Sequence, residues 1–159
     1  MHPHTLYELC VQAPDRDVEL LRAMHGRSPR ILGEDFCGSA ALSREWARRV
    51  PKGTAIAVDH DRKVLAHAEA PGVTPVLGDV RACTAKADVI FVGNFSIGEF
   101  HDRPSLVAYL RHARSRLRPG GLFACDIYGG VDAYETGTLK EQRLGPNGEK
   151  VTYTWEQRL

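Results

Sequence analysis

Between residues 30 and 128 the chain repeats one pattern. A short apolar run ends in an acid or a glycine, and a segment of helical character follows. The runs are 30–35, 54–59, 74–77, 88–93 and 122–127, and Ala55-Ile56-Ala57-Val58 and Val89-Ile90-Phe91-Val92 are the clearest. Each is continuous rather than alternating, so each reads as a strand covered on both faces. The segments between them carry apolar residues at helical spacing: Leu42, Trp46, Ala47 and Val50 over 40–50; Val64, Leu65 and Ala68 over 61–70; and Leu106, Tyr109, Leu110, Ala113 and Leu117 after the N-cap Asp102. Pro119-Gly120-Gly121 reads as the stop of that last helix. Strands alternating with helices give a parallel sheet wound on both faces, a mostly parallel doubly wound α/β fold.

Either side of this unit the pattern changes. Residues 15–25 predict a helix with Val18, Leu21 and Met24 or His25 on one face, ended by Gly26. Segments 139–144 and 150–158 flank Gly145-Pro146-Asn147-Gly148, and in the second Val151, Tyr153 and Trp155 alternate with Thr152, Thr154 and Glu156. That is a half-buried antiparallel hairpin. The expected organisation is therefore an N-terminal helical cap over 1–29, an α/β core over 30–130 and, over 131–159, a hairpin insertion or a truncated C-terminal part. Five parallel strands and a hairpin also leave a sheet edge open, a route to association of two copies.

The 159 residues suit one compact domain, and 21 basic against 20 acidic residues give a net charge of +1. That balance provides no electrostatic case for a nucleic-acid or membrane partner. No apolar run reaches the ~20 residues of a membrane span. Cys10, Cys37, Cys83 and Cys125 show no C-x-x-C or zinc-ligand spacing, and His2 and His4 stand alone at the terminus, so no metal site is expected. Reduced thiols and the lack of a signal-peptide pattern fit a cytoplasmic protein.

In open α/β sheets ligands bind beyond the carboxyl ends of the strands. The first run ends in Glu34-Asp35-Phe36-Cys37-Gly38-Ser39-Ala40, small residues leading into a helix. A plain strand-to-helix turn explains it about as well as a ligand loop. The second ends in Asp59, 21 positions after Gly38, the spacing between a nucleotide loop and an acid that accepts from ribose hydroxyls. The alternative is that Asp59 opens a turn with His60 and Asp61. The third ends in Gly78-Asp79-Val80, where Asp79 could accept from an adenine amine and Val80 pack on the ring, or Asp79 could be a solvated turn residue. The fourth leads into Asn94 and Phe95, beside the substrate space.

Together these residues resemble the class I S-adenosylmethionine-dependent methyltransferase family, from about Arg30 to Tyr128. Glu34 falls at the family's first-motif acid and Gly38 at its central glycine, while Phe36 and Ala40 stand where the family usually has glycines. Asp59 matches the ribose acid and Asp79 the adenine-contacting acid. Leu117-Arg118-Pro119-Gly120-Gly121 resembles a further signature. The resemblance implies S-adenosylmethionine as cofactor, held by Glu34, Phe36, Cys37, Gly38, Asp59, His60, Asp79, Val80, Asn94 and Phe95. It implies a small-molecule substrate and, by analogy, Tyr7 to Gln12 folding over the methionine end. Tyr128, His101 and Asp126 are the catalytic candidates by their place near the strand ends; the alternatives are that His101 is a surface loop residue, the favoured reading, and that Asp126 caps its strand. Two other readings stay open: a non-catalytic cofactor-binding or interaction module, and a nicotinamide-dependent oxidoreductase, for which the G-x-G-x-x-G loop is missing.

Overall fold

The computed structural model describes residues 2–158. Met1 and Leu159, the outer bounds of the expected cap and hairpin, lie outside it. The chain divides into two compact units, one of 13–127 and one joining the N-terminal segment up to Gln12 with 128–159. These divisions differ from the boundaries at 29 and 130 drawn from the sequence.

The larger unit is a five-stranded parallel sheet in the order β3-β2-β1-β4-β5, built from β1 (Ile31–Asp35), β2 (Thr54–Asp59), β3 (Val73–Leu77), β4 (Ala87–Val92) and β5 (Leu117–Cys125). Order reverses between β1 and β4, which places the ligand crevice at their carboxyl ends. Helices α2 (Pro14–His25) and α3 (Ala41–Arg49) cover one face, where Val18, Leu21, Leu42, Trp46 and Val50 pack on Leu32, Ala55 and Val89. Of the two residues that could close the α2 stripe, His25 is half-buried and Met24 exposed. On the other face Tyr109 and Ala113 of α5 (Arg103–Arg116) pack on Val58, Ile90 and Val92. Each buried valine, leucine or isoleucine among them contributes roughly 1.5–3 kcal/mol.

Three elements differ from the sequence reading. The helix expected over 61–70 is one turn, α4 (Arg62–Leu65), followed by tight i→i+3 bonds at His67 and Ala68. Pro71 disfavours helix at the residue before it. The helix expected to run to Pro119-Gly120-Gly121 ends at Arg116. Leu117 already pairs with Ala87, and the Pro-Gly-Gly segment forms a bulge before Leu122 pairs with Val89. Gly120 takes a left-handed φ of +77° there, and a Cβ would meet the Arg27 guanidinium at 2.7 Å. A 3₁₀ turn over Ser96–Glu99, not foreseen, follows β4.

The smaller unit holds α1 (Pro3–Val11), a 3₁₀ turn over Val131–Tyr134, and an antiparallel hairpin of β6 (Gly137–Leu144) and β7 (Lys150–Gln157). Leu139 faces Trp155 and Arg143 faces Val151, so the apolar residues of β7 share one face. No helix among the described residues is long and apolar enough to cross a membrane.

A buried ion pair ties the central strand to α5. Asp35, fully buried at the end of β1, accepts from Arg116 Nη1 at 3.0 and 2.7 Å and from the Tyr109 hydroxyl at 2.7 Å. Arg116 is 1% exposed and also donates from Nε to the Ala85 carbonyl. Gly33 makes room for it, since a Cβ there would lie 3.3 Å from Arg116 Nη2. Burial and the Asp35 charge push the Tyr109 hydroxyl well above the usual phenol range. Removing one partner strands the other charge in the core, at about 3–5 kcal/mol. Arg116→Leu should therefore lose about that much in urea unfolding, and Tyr109→Phe about 1.5–3 kcal/mol for one hydrogen bond to a charged group.

Candidate functional site

The two acids ending β1 point to opposite faces, as adjacent strand residues must. Asp35 faces α5. Glu34 faces α3, where its Oε2 accepts from the Ser43 amide at 2.8 Å and the Ser43 hydroxyl at 2.5 Å. Burial pushes the Glu34 carboxyl up to about 7, against the pull of those hydrogen bonds. The expected first-motif acid thus lies in the interior, fastening α3 beneath the loop that follows β1.

That loop keeps left-handed backbone without the usual glycines. Phe36 and Ala40 both have φ of +59°, and Gly38 has +54°. A left-handed residue with a side chain costs roughly 1–2 kcal/mol. The Phe36 ring offsets this by packing edge-on against Phe100 (centroids 5.9 Å apart) and Tyr109 (6.3 Å), pairs worth about 0.5–1.5 kcal/mol each. Cys37 is buried and donates its amide to the Val58 carbonyl, and burial pushes its thiol far up.

Beyond the strand ends opens a cleft of about 320 Å³. Of the residues the sequence singled out, it brings together Phe36, Asp59, His60, Asp79, Val80 and His101. Asp59, ending β2, accepts from the Gly38 amide through Oδ2 at 2.8 Å and from the Asp61 amide through Oδ1 at 2.9 Å. A carboxylate has about four lone-pair sites, so two remain for outside donors. Asp79 follows β3. Arg81, absent from the sequence reading, folds back onto it, and the hydrogen-bonded guanidinium holds the Asp79 carboxyl down to about 2. Gly78, Glu99, Phe100, Asp102 and Ser105 complete the lining. Asp102 is the N-cap of α5, its side chain accepting from the Ser105 amide at 2.8 Å.

The remaining candidates lie outside that lining. Asn94 and Phe95 are left-handed, with φ of +52° and +60°. Asp126 holds them there, its Oδ2 accepting from the Asn94 amide at 2.9 Å and its Oδ1 from the Phe95 amide at 2.6 Å. Asp126 therefore acts as a clamp on the loop after β4. Tyr128 belongs to the smaller unit, where its hydroxyl is bonded to the Gln157 side-chain amide. No pattern in the chain pointed to Arg81, whose role depends on a two-residue turn. The chain did carry a signal for Asp35 and Arg116: a polar residue at a strand's last inward position, and an arginine three residues after Ala113 on the buried stripe.

A crossed parallel sheet with acids at successive strand ends around one cleft defines a nucleotide-binding α/β domain. A family model described as a methyltransferase domain matches residues 35–121, and the chain belongs to that family. Malonyl-[acyl-carrier protein] O-methyltransferase of Xylella fastidiosa is 30% identical over 126 residues, covering 74% of this chain and 41% of that protein. Trans-aconitate 2-methyltransferase of Deinococcus radiodurans is 29% identical over 119 residues, covering 72% and 43%. The chain thus spans about two fifths of the length of these curated relatives. An amino pentose methyltransferase from Micromonospora echinaspora, solved with S-adenosylmethionine bound, superposes with a TM-score of 0.72 at 18% identity, over 95% of this chain and 66% of that one. A sugar N-methyltransferase from a Streptoalloteichus species gives 0.73 at 14%, over 99% and 77%. These structures share the fold.

The Glu34 carboxyl gives a stability prediction. Its folded value lies above the ordinary 4.5, so the unfolded chain loses this proton first as pH rises. The stabilisation is complete below pH 4.5 and is lost progressively as pH rises toward 7. Glu34→Gln keeps an acceptor for Ser43 and cannot ionise. The variant should gain stability over the wild type across that window, on the order of 3 kcal/mol at full titration, measured by urea unfolding at pH 4, 5, 6 and 7.5.

Proposed function

We propose that this chain binds S-adenosylmethionine in the 320 Å³ cleft and belongs to an enzyme that transfers its methyl group to a small molecule. The observation that carries the reading is Asp59, poised by two backbone amides with two lone-pair sites to spare, at the position where the family places its ribose acid. The donor set fits the cofactor: carboxylates at 59 and 79 for hydroxyl and amine donors, and the apolar Phe36 and Val80 for the purine. Bound cofactor supplies a methyl group already activated on sulfonium. The chain's residues then have to orient the cofactor and the nucleophile for in-line displacement, and a base helps only where the nucleophile arrives protonated. His101, on the cleft wall, is the candidate for that proton. Asp126 contributes by holding Asn94 and Phe95, and Tyr128 is proposed to meet the substrate.

The relatives named above act on malonyl-acyl-carrier protein, trans-aconitate and sugars, which supports a small-molecule substrate over nucleic acid or membrane. The four cysteines are free thiols, in keeping with a cytoplasmic setting. The segments 1–29 and 131–159 are read as a helical cap and a hairpin insertion around the core at 30–130. The hairpin, with Leu139 and Trp155 about half exposed, or the outer edge of β5, is the proposed contact between two copies. Size-exclusion chromatography with light scattering tests this, a monomeric mass removing it.

The deciding measurement is thermal unfolding with S-adenosylhomocysteine at about 100 times its dissociation constant. A site ligand then adds ~2.7 kcal/mol, raising Tm by roughly 5–10 °C, while NAD(P)H leaves it unmoved. Protection by NAD(P)H alone favours an oxidoreductase. Asp59→Ala should weaken S-adenosylhomocysteine binding by about 1.5–3 kcal/mol, or roughly 10- to 150-fold, in calorimetric titration. Unchanged affinity in the folded variant removes Asp59 from the site.

A further inference from the structure

The cleft contains a contact that strand-end geometry does not call for. The Arg81 backbone N–H donates to Asp79 Oδ1 at 2.8 Å, and its Nε reaches Oδ1 and Oδ2 at 2.9 and 3.0 Å. Its Nη2 donates to Oδ2 as well. Asp79 therefore accepts from three N–H groups of Arg81 through four contacts, the single Nε–H being shared between its two oxygens, and most of its acceptor capacity is taken. Both residues line the cleft, and their side chains are 45% and 58% exposed. The contrast with Asp59 is sharp: both of its partners are backbone amides, and half its capacity is open.

We propose that Arg81 sets the nucleoside affinity of this cleft by competing, from within the chain, for the carboxylate that receives the adenine amine. This rests on the assignment of the cleft to S-adenosylmethionine. Adenine offers a neutral N–H to Asp79, while the guanidinium offers a charged fork of donors. With three N–H groups of Arg81 already on the carboxylate, the amine competes with them for its oxygens, and the ion pair is the free energy it must displace. Exposed ion pairs are weak, so the competition tunes the site rather than closing it. It also makes binding depend on salt in an unusual direction. Ionic screening weakens the Arg81–Asp79 pair and leaves the neutral amine's hydrogen bond largely untouched.

The test is calorimetric titration of S-adenosylhomocysteine, which carries no net charge, into wild type, Arg81→Ala, Arg81→Lys and Asp79→Ala at 20 mM and 500 mM NaCl. Arg81→Ala should bind about two- to five-fold tighter at low salt, the ratio matching an exposed ion pair. Wild type should tighten as salt rises and converge on the variant, whose affinity stays flat. Arg81→Lys, with a point charge in place of the fork, should fall between them. Equal or weaker binding by Arg81→Ala, with Asp79→Ala weakened, would overturn the competition while leaving the adenine site in place. Asp79→Ala binding as well as wild type, or no binding by wild type, would overturn the adenine assignment and the competition with it. Arg81 is exposed, so the variant's unliganded Tm should match wild type and separates binding from folding.

Discussion

The carboxylate of Asp35 cannot be buried alone, and the central unit is arranged around satisfying it. Three donor contacts come from α5, two from Arg116 and one from Tyr109. They fix the height and rotation of that helix on the sheet. The same arginine ends the helix, because the chain has to turn into β5 immediately after the buried guanidinium. One residue earlier on β1, Glu34 does the corresponding work on the opposite face through Ser43 of α3. A dipeptide of two acids thus fastens one helix to each side of the strand at the middle of the sheet. The two solutions differ in chemistry: a charged acid with a charged partner facing α5, and an acid pushed toward neutrality by burial facing α3. Both act at the carboxyl end of β1, where the loop toward the cleft begins.

The architecture was largely legible from the chain because a covered parallel strand writes itself as a continuous apolar run, as β1, β2 and β4 do, while the more exposed edge strand β5 begins five residues before its run and ends at Cys125. What escaped was decided by tertiary context. Nothing local distinguishes Asp61 to Ala70 as a single turn from Asp61 to Ala70 as a short helix until the approach to Pro71 is weighed. Pro119-Gly120-Gly121 reads as a helix stop, yet the stop falls three residues earlier, where Arg116 enters the core. At the site, the strand-end acids were legible by spacing, and Asp59 and Asp79 do open on one cleft. Glu34 was legible as a motif position but not as an interior residue, since periodicity does not say which of two neighbouring acids turns to which face. Tyr128 lies past the end of β5, where the chain passes into the smaller unit.

Left-handed backbone gathers where the chemistry is expected. Phe36 and Ala40 after β1, and Asn94 and Phe95 after β4, all carry side chains at positive φ. Such residues persist only where their surroundings over-determine them. Here the surroundings are identifiable: the aromatic cluster of Phe36, Phe100 and Tyr109, and the two oxygens of Asp126. The loop that glycines usually shape in this family is shaped here by contacts. It is correspondingly less free to rearrange, and Tyr109 serves both the loop and the buried ion pair.

That ion pair joins positions 35 and 116, 81 residues apart in the chain. A ribosome adding roughly 5–20 residues per second needs on the order of 4–16 s between them. During that interval the central strand exists without Arg116, the cation that pairs with its carboxylate in the folded unit. Strands β1 to β4 can be made and their apolar faces can collapse, but docking Asp35 into a dry interior has to wait for the last turn of α5. The order of synthesis therefore makes the contact between Asp35 and Arg116 one of the last of the larger unit that can form.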